Sequence, residues 1–270
     1  MAISVVSIHI YPVKALGAIS LAESIVEARG LQHDRRFMVI DQNHEFLTQR
    51  DHPRMATVWV EIENDNVILS APATESISFA LTPKVSTTRA VKVWSSHVRA
   101  QTVTAGADQW LSDYLGVDAR LVYMPESAAR RIHPAYAKNA EIVSFADGFP
   151  LLITSDASLN DLNTRIKKNG GQALSMNRFR PNLVISGCDA YAEDRLGDIA
   201  VGNALFRAVK PCTRCQVTTI DQANGQSRGP EPLQTLGTYR NSPGGVVFGM
   251  NLIPLTPDTV RVGDEVNFCG

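Results

Sequence analysis

Residues 210–221, which read KPCTRCQVTTID, are the most informative stretch of this chain. Cys212 and Cys215 have the C-x-x-C spacing that zinc sites, dithiol redox sites and soft-metal sites share. Arg214 lies between the two cysteines, and Lys210 lies just before them. Nearby cations favour the thiolate, which is the form of cysteine that binds metal. The segment therefore indicates a soft ligand beside fixed positive charge.

The spacing alone leaves three other interpretations open. A structural zinc site needs four ligands, whereas Cys188 and Cys269 each stand alone in the sequence. A thioredoxin-like dithiol begins a helix, whereas residues 216–220, QVTTI, predict a strand. Both cysteines could also be buried structural thiols, which behave as small hydrophobes. The cations beside the pair favour the ligand interpretation over the buried one.

The segment KPCTRCQVTTID resembles the core motif of the MOSC superfamily, specifically its YcbX and mitochondrial amidoxime-reducing branch. Five further segments agree with that branch in order and approximate spacing: YPVKALGAI at 11–19, GLQHDRRFMVID at 30–41, SFADGFPLLITSDASLNDLN at 144–163, FRPNLVISGCDAYAED at 179–194 and FGMNLI at 248–253. The resemblance covers nearly the whole chain. It implies a β-rich α+β fold, with a MOSC-type β-barrel, an N-terminal β-barrel-like domain and a few packing helices.

The residue pattern itself predicts many short strands and two helices. Strands are expected at residues 3–10, 37–41, 57–62, 67–71, 91–94, 98–103 and 120–124. Apolar residues at helical spacing predict helices over 107–115, ended by Gly116, and over 155–168, with Ser155 as the cap. We expect a domain boundary within 125–140, which gives an N-terminal β-barrel domain at 1–124 and a MOSC domain at 125–270.

Composition and charge limit the kinds of partner that the chain is expected to bind. The 270 residues carry a formal net charge of −1, and the pI is near 6.6, which argues against a nucleic-acid surface. The N-terminal stretch MAISVVSIHIYPVK is too short to span a bilayer and has no basic leader, so we expect a cytoplasmic protein that contacts no membrane. Four cysteines without a secretory signal indicate free thiols in a reducing compartment.

The resemblance implies a molybdenum cofactor, Mo-molybdopterin, whose metal is held by a pterin dithiolene with a phosphate tail. It also implies reduction of small N-hydroxylated substrates such as hydroxylamines, amidoximes and N-hydroxylated bases. Cys215 matches the family's molybdenum ligand and is the expected catalytic residue. The other positions that the resemblance places at the cofactor are Lys14, Arg36, Gly148, Phe149, Arg180, Asn182, Thr213, Arg214 and Asn251. Because Lys14 and Arg36 precede the expected boundary, we expect both parts of the chain to share one cleft.

Some positions depart from the family pattern. Ala15 replaces a common serine, and Met250 stands where relatives often have glutamine. The chain ends at Gly270 without the iron-sulfur domain of some relatives, so the expected electron donor is a separate protein: a flavin reductase, a ferredoxin or a haem protein. Two alternatives use the same cysteine. The protein could be a sulfur-transfer or cofactor-carrier protein in which Cys215 forms a persulfide, or a storage module that binds the cofactor without turnover.

Overall fold

The computed structural model describes residues 2–84, 87–227 and 229–269. The strands, numbered in chain order, are β1 (Ser4–Ile10), β2 (Ile19–Leu21), β3 (Glu23–Glu27), β4 (Gly30–Leu31), β5 (Phe37–Ile40), β6 (Trp59–Glu63), β7 (Asn66–Ser70), β8 (Ile77–Ala80), β9 (Thr88–Val93), β10 (Ser96–Thr102), β11 (Arg120–Tyr123), β12 (Leu151–Ser155), β13 (Leu183–Ser186), β14 (Asp198–Val201), β15 (Ala204–Thr213), β16 (Asn241–Ser242), β17 (Gly245–Pro254), β18 (Thr259–Arg261) and β19 (Val266–Cys269). The α-helices are α1 (Ala105–Leu115), α2 (Asp156–Lys168) and α3 (Leu233–Leu236), and short 3₁₀ helices occupy Pro53–Thr57, Met176–Phe179, Ala192–Arg195 and Gln216–Thr219.

The largest sheet has nine strands in the order β2-β1-β13-β12-β17-β15-β14-β19, with β16 paired to β17. Its pairs are antiparallel except β12 with β13, which are parallel. Parallel neighbours need a crossover connection, and α2 supplies it here. The other sheets have the orders β5-β11-β10-β9, β6-β7-β8 and β18-β3-β4. The predicted β-rich α+β architecture is confirmed.

Two large hydrophobic cores hold these layers together. The first is built from residues between Val13 and Tyr123. The second is built from the nine-stranded sheet, including Val5 and Ile8 of β1, together with Val26 of β3. The first strands of the chain therefore pack with the C-terminal part. Strand β1 pairs with β13, and β3 pairs with β18. The expected domain boundary at residue 124 stays a prediction. Each of these two strand pairs joins a strand before residue 124 to a strand after it.

Both predicted helices are present, although α1 begins at Ala105, two residues before its predicted start. Thr104 caps α1 by accepting a hydrogen bond from the backbone N–H of Ala107, and Gly116 ends the helix with φ 72°. Ser155 caps α2 by accepting from the N–H of Ser158. Within the described ranges, none of the helices has the length and apolar character needed to cross a bilayer.

The strand expected at 216–220 is not formed, and this is the main correction to the sequence-based fold. Residues Gln216–Thr219 make a 3₁₀ helix, and the preceding strand β15 instead runs on to Thr213. The hydroxyl of Thr218 donates to the Cys215 carbonyl at 2.9 Å, and that of Thr219 donates to the Gln216 carbonyl at 2.8 Å. These local bonds offer the backbone an alternative to a sheet ladder. Cys215 consequently lies in an extended conformation between strand and helix.

Candidate functional site

One cleft collects side chains from both parts of the chain. Nine of the ten predicted site residues line it, and Arg36 is the exception. The lining residues from the N-terminal part are Lys14, Ala15, Arg35, Phe46, Leu47, Thr48, Gln49, Arg50 and Trp94. Those from the C-terminal part are Ala146, Asp147, Gly148, Phe149, Leu151, Leu152, Phe179, Arg180, Asn182, Cys212, Thr213, Arg214, Cys215, Val217, Thr218 and Asn251. The expectation of a shared cleft agrees with this lining.

The two cysteines of the C-x-x-C segment have different surroundings. Cys215 is exposed, whereas Cys212 at the end of β15 is half-buried. Arg214 donates from Nη1 to the sulfur of Cys212 at 2.9 Å and from Nη2 to the Phe179 carbonyl at 2.6 Å. Its Nε is buried and has no hydrogen-bond partner among the described residues. Cys215 therefore presents an open thiol to the cleft, and Arg214 holds Cys212 beside it.

No group of three or more His, Cys, Asp or Glu side chains in the described ranges could hold a metal ion. Cys212 and Cys215 thus form no complete ligand set with the other described side chains. A metal bound at Cys215 would need further ligands of the kind that an organic cofactor brings with it.

The lining is strongly cationic. It contains Lys14, Arg35, Arg50, Arg180 and Arg214, against the single carboxylate of Asp147 in the described lining. Arginine forks and ammonium groups bind phosphate and carboxylate oxygens through charge-assisted hydrogen bonds. The charge balance therefore suits an anionic ligand.

Lys14 and Asp147 form an ion pair at the edge of this cleft. The Lys14 ammonium is buried and donates to the Phe145 carbonyl at 2.9 Å and to the Asp147 carboxylate. Burial lowers the pKa of Lys14, although the Asp147 charge opposes that shift. Desolvation disfavours ionised Asp147, but the Lys14 charge and hydrogen bonds from Lys14 and Trp94 outweigh it and hold the pKa of Asp147 well below its usual range. Asp147 is thus a carboxylate at neutral pH and accepts hydrogen bonds rather than donating a proton.

Arg35 and Arg180 are held by one buried tyrosine. Their guanidinium carbons lie 4.2 Å and 4.1 Å from the ring centroid of Tyr11. Arg35 also donates to buried Asp34 at 2.5 Å, and Arg180 donates to the Leu16 carbonyl at 2.8 Å. Burial lowers the pKa of Arg180 to about 10, so the side chain stays charged at neutral pH. The two cations are fixed in position before any ligand arrives.

Asn182 lines the cleft, but its amide is bonded to the protein. Its Oδ1 accepts from Arg35 at 2.9 Å and from the backbone N–H of Leu152 at 3.2 Å, and its Nδ2 donates to the His9 carbonyl at 3.0 Å. With these three bonds made, Asn182 orients Arg35 within the cleft.

The structure does not bring Arg36 into the cleft. Its side chain is buried elsewhere, with Nη1 2.6 Å from a carboxylate oxygen of Glu126 and Nη2 donating to the Met124 carbonyl at 2.7 Å. The adjoining Arg35 occupies the cleft instead. Arg35 is the last residue of a turn and has φ 49°, whereas Arg36 directly precedes strand β5, so the two adjacent side chains lie in different surroundings. Because Arg35 and Arg36 are adjacent in the sequence, either arginine was a candidate for the cleft.

The loop that carries Gly148 and Phe149 is pinned by a residue outside the cleft. Buried Arg130 donates to the carbonyls of Ser144 at 2.9 Å, Ala146 at 2.5 Å and Asp147 at 2.6 Å. Burial lowers the pKa of Arg130 to about 10. Three carbonyls converging on one cation fix the backbone on which Asp147 and Gly148 stand.

Besides Arg35, three residues that line the cleft were not predicted from the sequence: Asp147, Phe46 and Trp94. Asp147 directly precedes Gly148, and its position in that segment was an available signal. Phe46 and Trp94 come from separate loops of the N-terminal part, and no local motif marks either of them. Of the remaining predicted residues, Asn251 donates from Nδ2 to the Lys210 carbonyl at 3.1 Å, which ties β17 to β15 beside the cysteines.

Comparison with known proteins identifies the family of the chain. Residues 2–118 match the MOSC N-terminal beta barrel domain, and residues 140–267 match the MOSC domain. The chain is 32% identical to mitochondrial amidoxime-reducing component 1 of Mus musculus, over 99% of this chain and 82% of that protein. It is 32% identical to the Homo sapiens component 1, over 99% and 83%, and 31% identical to component 2 of Rattus norvegicus, over 97% and 82%. The chain belongs to the family of MOSC-domain proteins that contains the mitochondrial amidoxime-reducing components.

Proposed function

We propose that this protein is a molybdenum-cofactor-dependent reductase of N-hydroxylated compounds. The observation that carries the proposal is the exposed thiol of Cys215 in a cleft lined by five cationic side chains. The relatives that are named for amidoxime reduction support the reaction class. The proposed substrates are hydroxylamines, amidoximes and N-hydroxylated bases.

The residues of the cleft fit such a cofactor. A thiolate is the soft ligand that molybdenum in a dithiolene needs from a protein, and Cys215 offers one without a competing hydrogen bond from Arg214. The phosphate tail and the polar pterin require donors, which Lys14, Arg35 and Arg180 supply.

The net reaction converts N–OH and two electrons plus two protons into N–H and water. When bound, the cofactor supplies the two-electron redox chemistry, as cofactors do in enzymes of this kind. The chain holds the cofactor through Cys215 and the arginines and leaves the cleft open to substrate. Asp147, kept ionised beside Lys14, accepts a hydrogen bond from the N–H or O–H of the substrate and orients it. The two protons of the net reaction come from solvent.

We further propose that electrons come from a separate protein: a flavin reductase, a ferredoxin or a haem protein. The chain has four cysteines, so a four-cysteine iron-sulfur site would consume Cys215. One redox centre per chain follows from the assignment of Cys215 to the cofactor.

The test is turnover by cofactor-loaded protein with a reduced viologen and a panel of amidoximes and hydroxylamines. We expect amine or amidine product with the viologen, and none with NADH or NADPH until a reductase is added. Absence of product from the whole panel would contradict the reductase assignment, and direct turnover with a nicotinamide would contradict the separate donor.

The exposed thiol of Cys215 also favours a second candidate, a sulfur-transfer or cofactor-carrier protein that forms a persulfide there. Mass spectrometry of the Cys215 peptide separates the two. A mass increase of one sulfur in metal-free protein supports the carrier, and an unmodified thiol in molybdenum-loaded, active protein supports the reductase.

A further inference from the structure

Trp94 is an exposed aromatic residue at the cleft. Of the large hydrophobic side chains that are exposed in the described part of the chain, it is the one that lines the cleft, with 43% of its surface exposed. Burying an exposed indole against a ligand is favourable, and indoles are frequent where proteins bind flat aromatic groups. An exposed indole at this position therefore points to a ligand that covers it.

The backbone at Trp94 is unfavourable for a tryptophan. Strands β9 and β10 are joined by a two-residue loop, residues 94–95, and Trp94 at its first position has φ 53°. Glycine is the residue usually found at a hairpin position with positive φ, because a side chain with a Cβ is strained there. A bulky side chain retained at such a position is typical of a functional site.

Contacts fix the orientation of the indole. Its Nε1 donates to the Asp147 carboxylate at 3.1 Å, and the Phe46 ring meets it edge-on at 5.1 Å between centroids. The Arg50 guanidinium carbon lies 5.1 Å from the indole centroid. Phe46 and Arg50 also line the cleft. The ring is thus held beside the carboxylate that the proposed reaction uses, and part of its surface stays uncovered.

We propose that Trp94 and Phe46 form an aromatic wall that selects flat aromatic N-hydroxylated substrates, such as aromatic amidoximes, over aliphatic ones of similar size. This inference rests on the proposed function of the same cleft. An aromatic substrate covers the exposed indole surface by stacking or edge contact, which an aliphatic chain does less well. The hydrogen bond from Trp94 to Asp147 links this wall to the group that orients the N–OH end.

The kinetic test replaces Trp94 by glycine, which suits the backbone and removes the ring. In cofactor-loaded protein with a reduced viologen, we expect the ratio of kcat/KM for benzamidoxime to that for an aliphatic amidoxime of similar size to fall about tenfold. The variant should stay folded, because relief of the strain at φ 53° offsets part of the loss of the Phe46 and Asp147 contacts. The matched control is Trp59→Ala, since Trp59 is 49% exposed and does not line the cleft. An unchanged ratio in Trp94→Gly, or an equal fall in Trp59→Ala, would overturn the inference.

A binding measurement separates this inference from the proposed function. In the Trp59→Phe/Trp110→Phe variant Trp94 is the remaining tryptophan, so its fluorescence reports the cleft. We expect saturable quenching by benzamidoxime and at least about fivefold weaker binding of the aliphatic compound. Quenching by benzamidoxime without turnover of any N-hydroxylated compound would support the aromatic wall and contradict the reductase. Turnover without selective quenching would support the reductase and overturn the wall.

Discussion

Arg214 Nη1 donates a hydrogen bond to the sulfur of Cys212, at 2.9 Å, while the Cys215 thiol beyond it is exposed. The two cysteines of the C-x-x-C segment are therefore not equivalent. Cys212 is engaged with the scaffold at the end of β15, and Cys215 faces the cleft without such a partner from Arg214. This asymmetry supports the proposal that the second cysteine is the ligand.

Arg35 and Arg36 offer a matched pair of variants. Arg35→Ala removes a cation that lines the cleft, so we expect about a tenfold loss in cofactor affinity. Arg36→Ala removes the contacts with Glu126 and the Met124 carbonyl, so it should lower the free energy of unfolding by about 2 kcal/mol with cofactor content per folded protein unchanged. Arg35→Ala should also lower stability, because Asp34 is left buried without its cation. Pterin content per folded protein therefore separates the effect on cofactor binding from the effect on stability. An equal loss of pterin in both variants would contradict the placement of Arg35 in the cleft and of Arg36 outside it.

Arg180→Ala should weaken cofactor retention more than it lowers stability. The guanidinium lies in the cleft, and the substitution removes its hydrogen bonds to the Leu16 carbonyl and Gln222 and its packing on Tyr11. We expect about tenfold or greater loss of bound pterin after gel filtration, with about 1 to 2 kcal/mol lost from the free energy of unfolding. A collapse of the Tm, with a full complement of pterin in the protein that remains folded, would make Arg180 a structural residue only.

The Glu141–Arg207 ion pair predicts an acid-dependent stability difference. Burial opposes ionisation of Glu141, but the Arg207 hydrogen bond at 2.6 Å and the Asn139 N–H lower its pKa from 4.5 to about 2. A carboxyl whose folded pKa is depressed stabilises the protein above its unfolded pKa, and that contribution is lost as the pH falls through the folded value. Glu141→Gln should therefore melt below the wild type at about pH 7, and the difference should shrink between about pH 4.5 and about pH 2. Melting curves at several pH values test this, and a difference that stays constant down to the acid end would count against it.

Seven strands of the N-terminal part and the two long helices could be predicted because local patterns specify them. The caps at Ser155 and Gly116 lie at the predicted ends of their helices, since capping depends on neighbouring residues. The 3₁₀ helix at Gln216–Thr219 could not be predicted from β propensity. Thr218 and Thr219 satisfy nearby carbonyls with their own hydroxyls, and propensity scales average over such local bonds.

The site residues that belong to one sequence motif could be predicted, whereas the aromatic residues that line the cleft could not. Cys215, Arg214 and Thr213 share one segment, so one motif located all three. Trp94 meets Asp147, and Phe46 meets Trp94, only through the packing of distant loops, so the spacing of these residues in the sequence does not reveal the contacts. The choice between Arg35 and Arg36 depended on side-chain direction, which the fold decides.

The most direct test of the central claim is metal and pterin analysis of wild type, Cys215→Ser and Cys212→Ser, each purified from a host that makes the molybdenum cofactor. Serine is a harder and far less acidic ligand than cysteine, so Cys215→Ser should lose molybdenum and activity together. Cys212→Ser should keep substantial molybdenum and activity, since the serine oxygen still accepts the Arg214 hydrogen bond. Wild type that carries zinc rather than molybdenum, together with equal losses in the two variants, would contradict the assignment of Cys215.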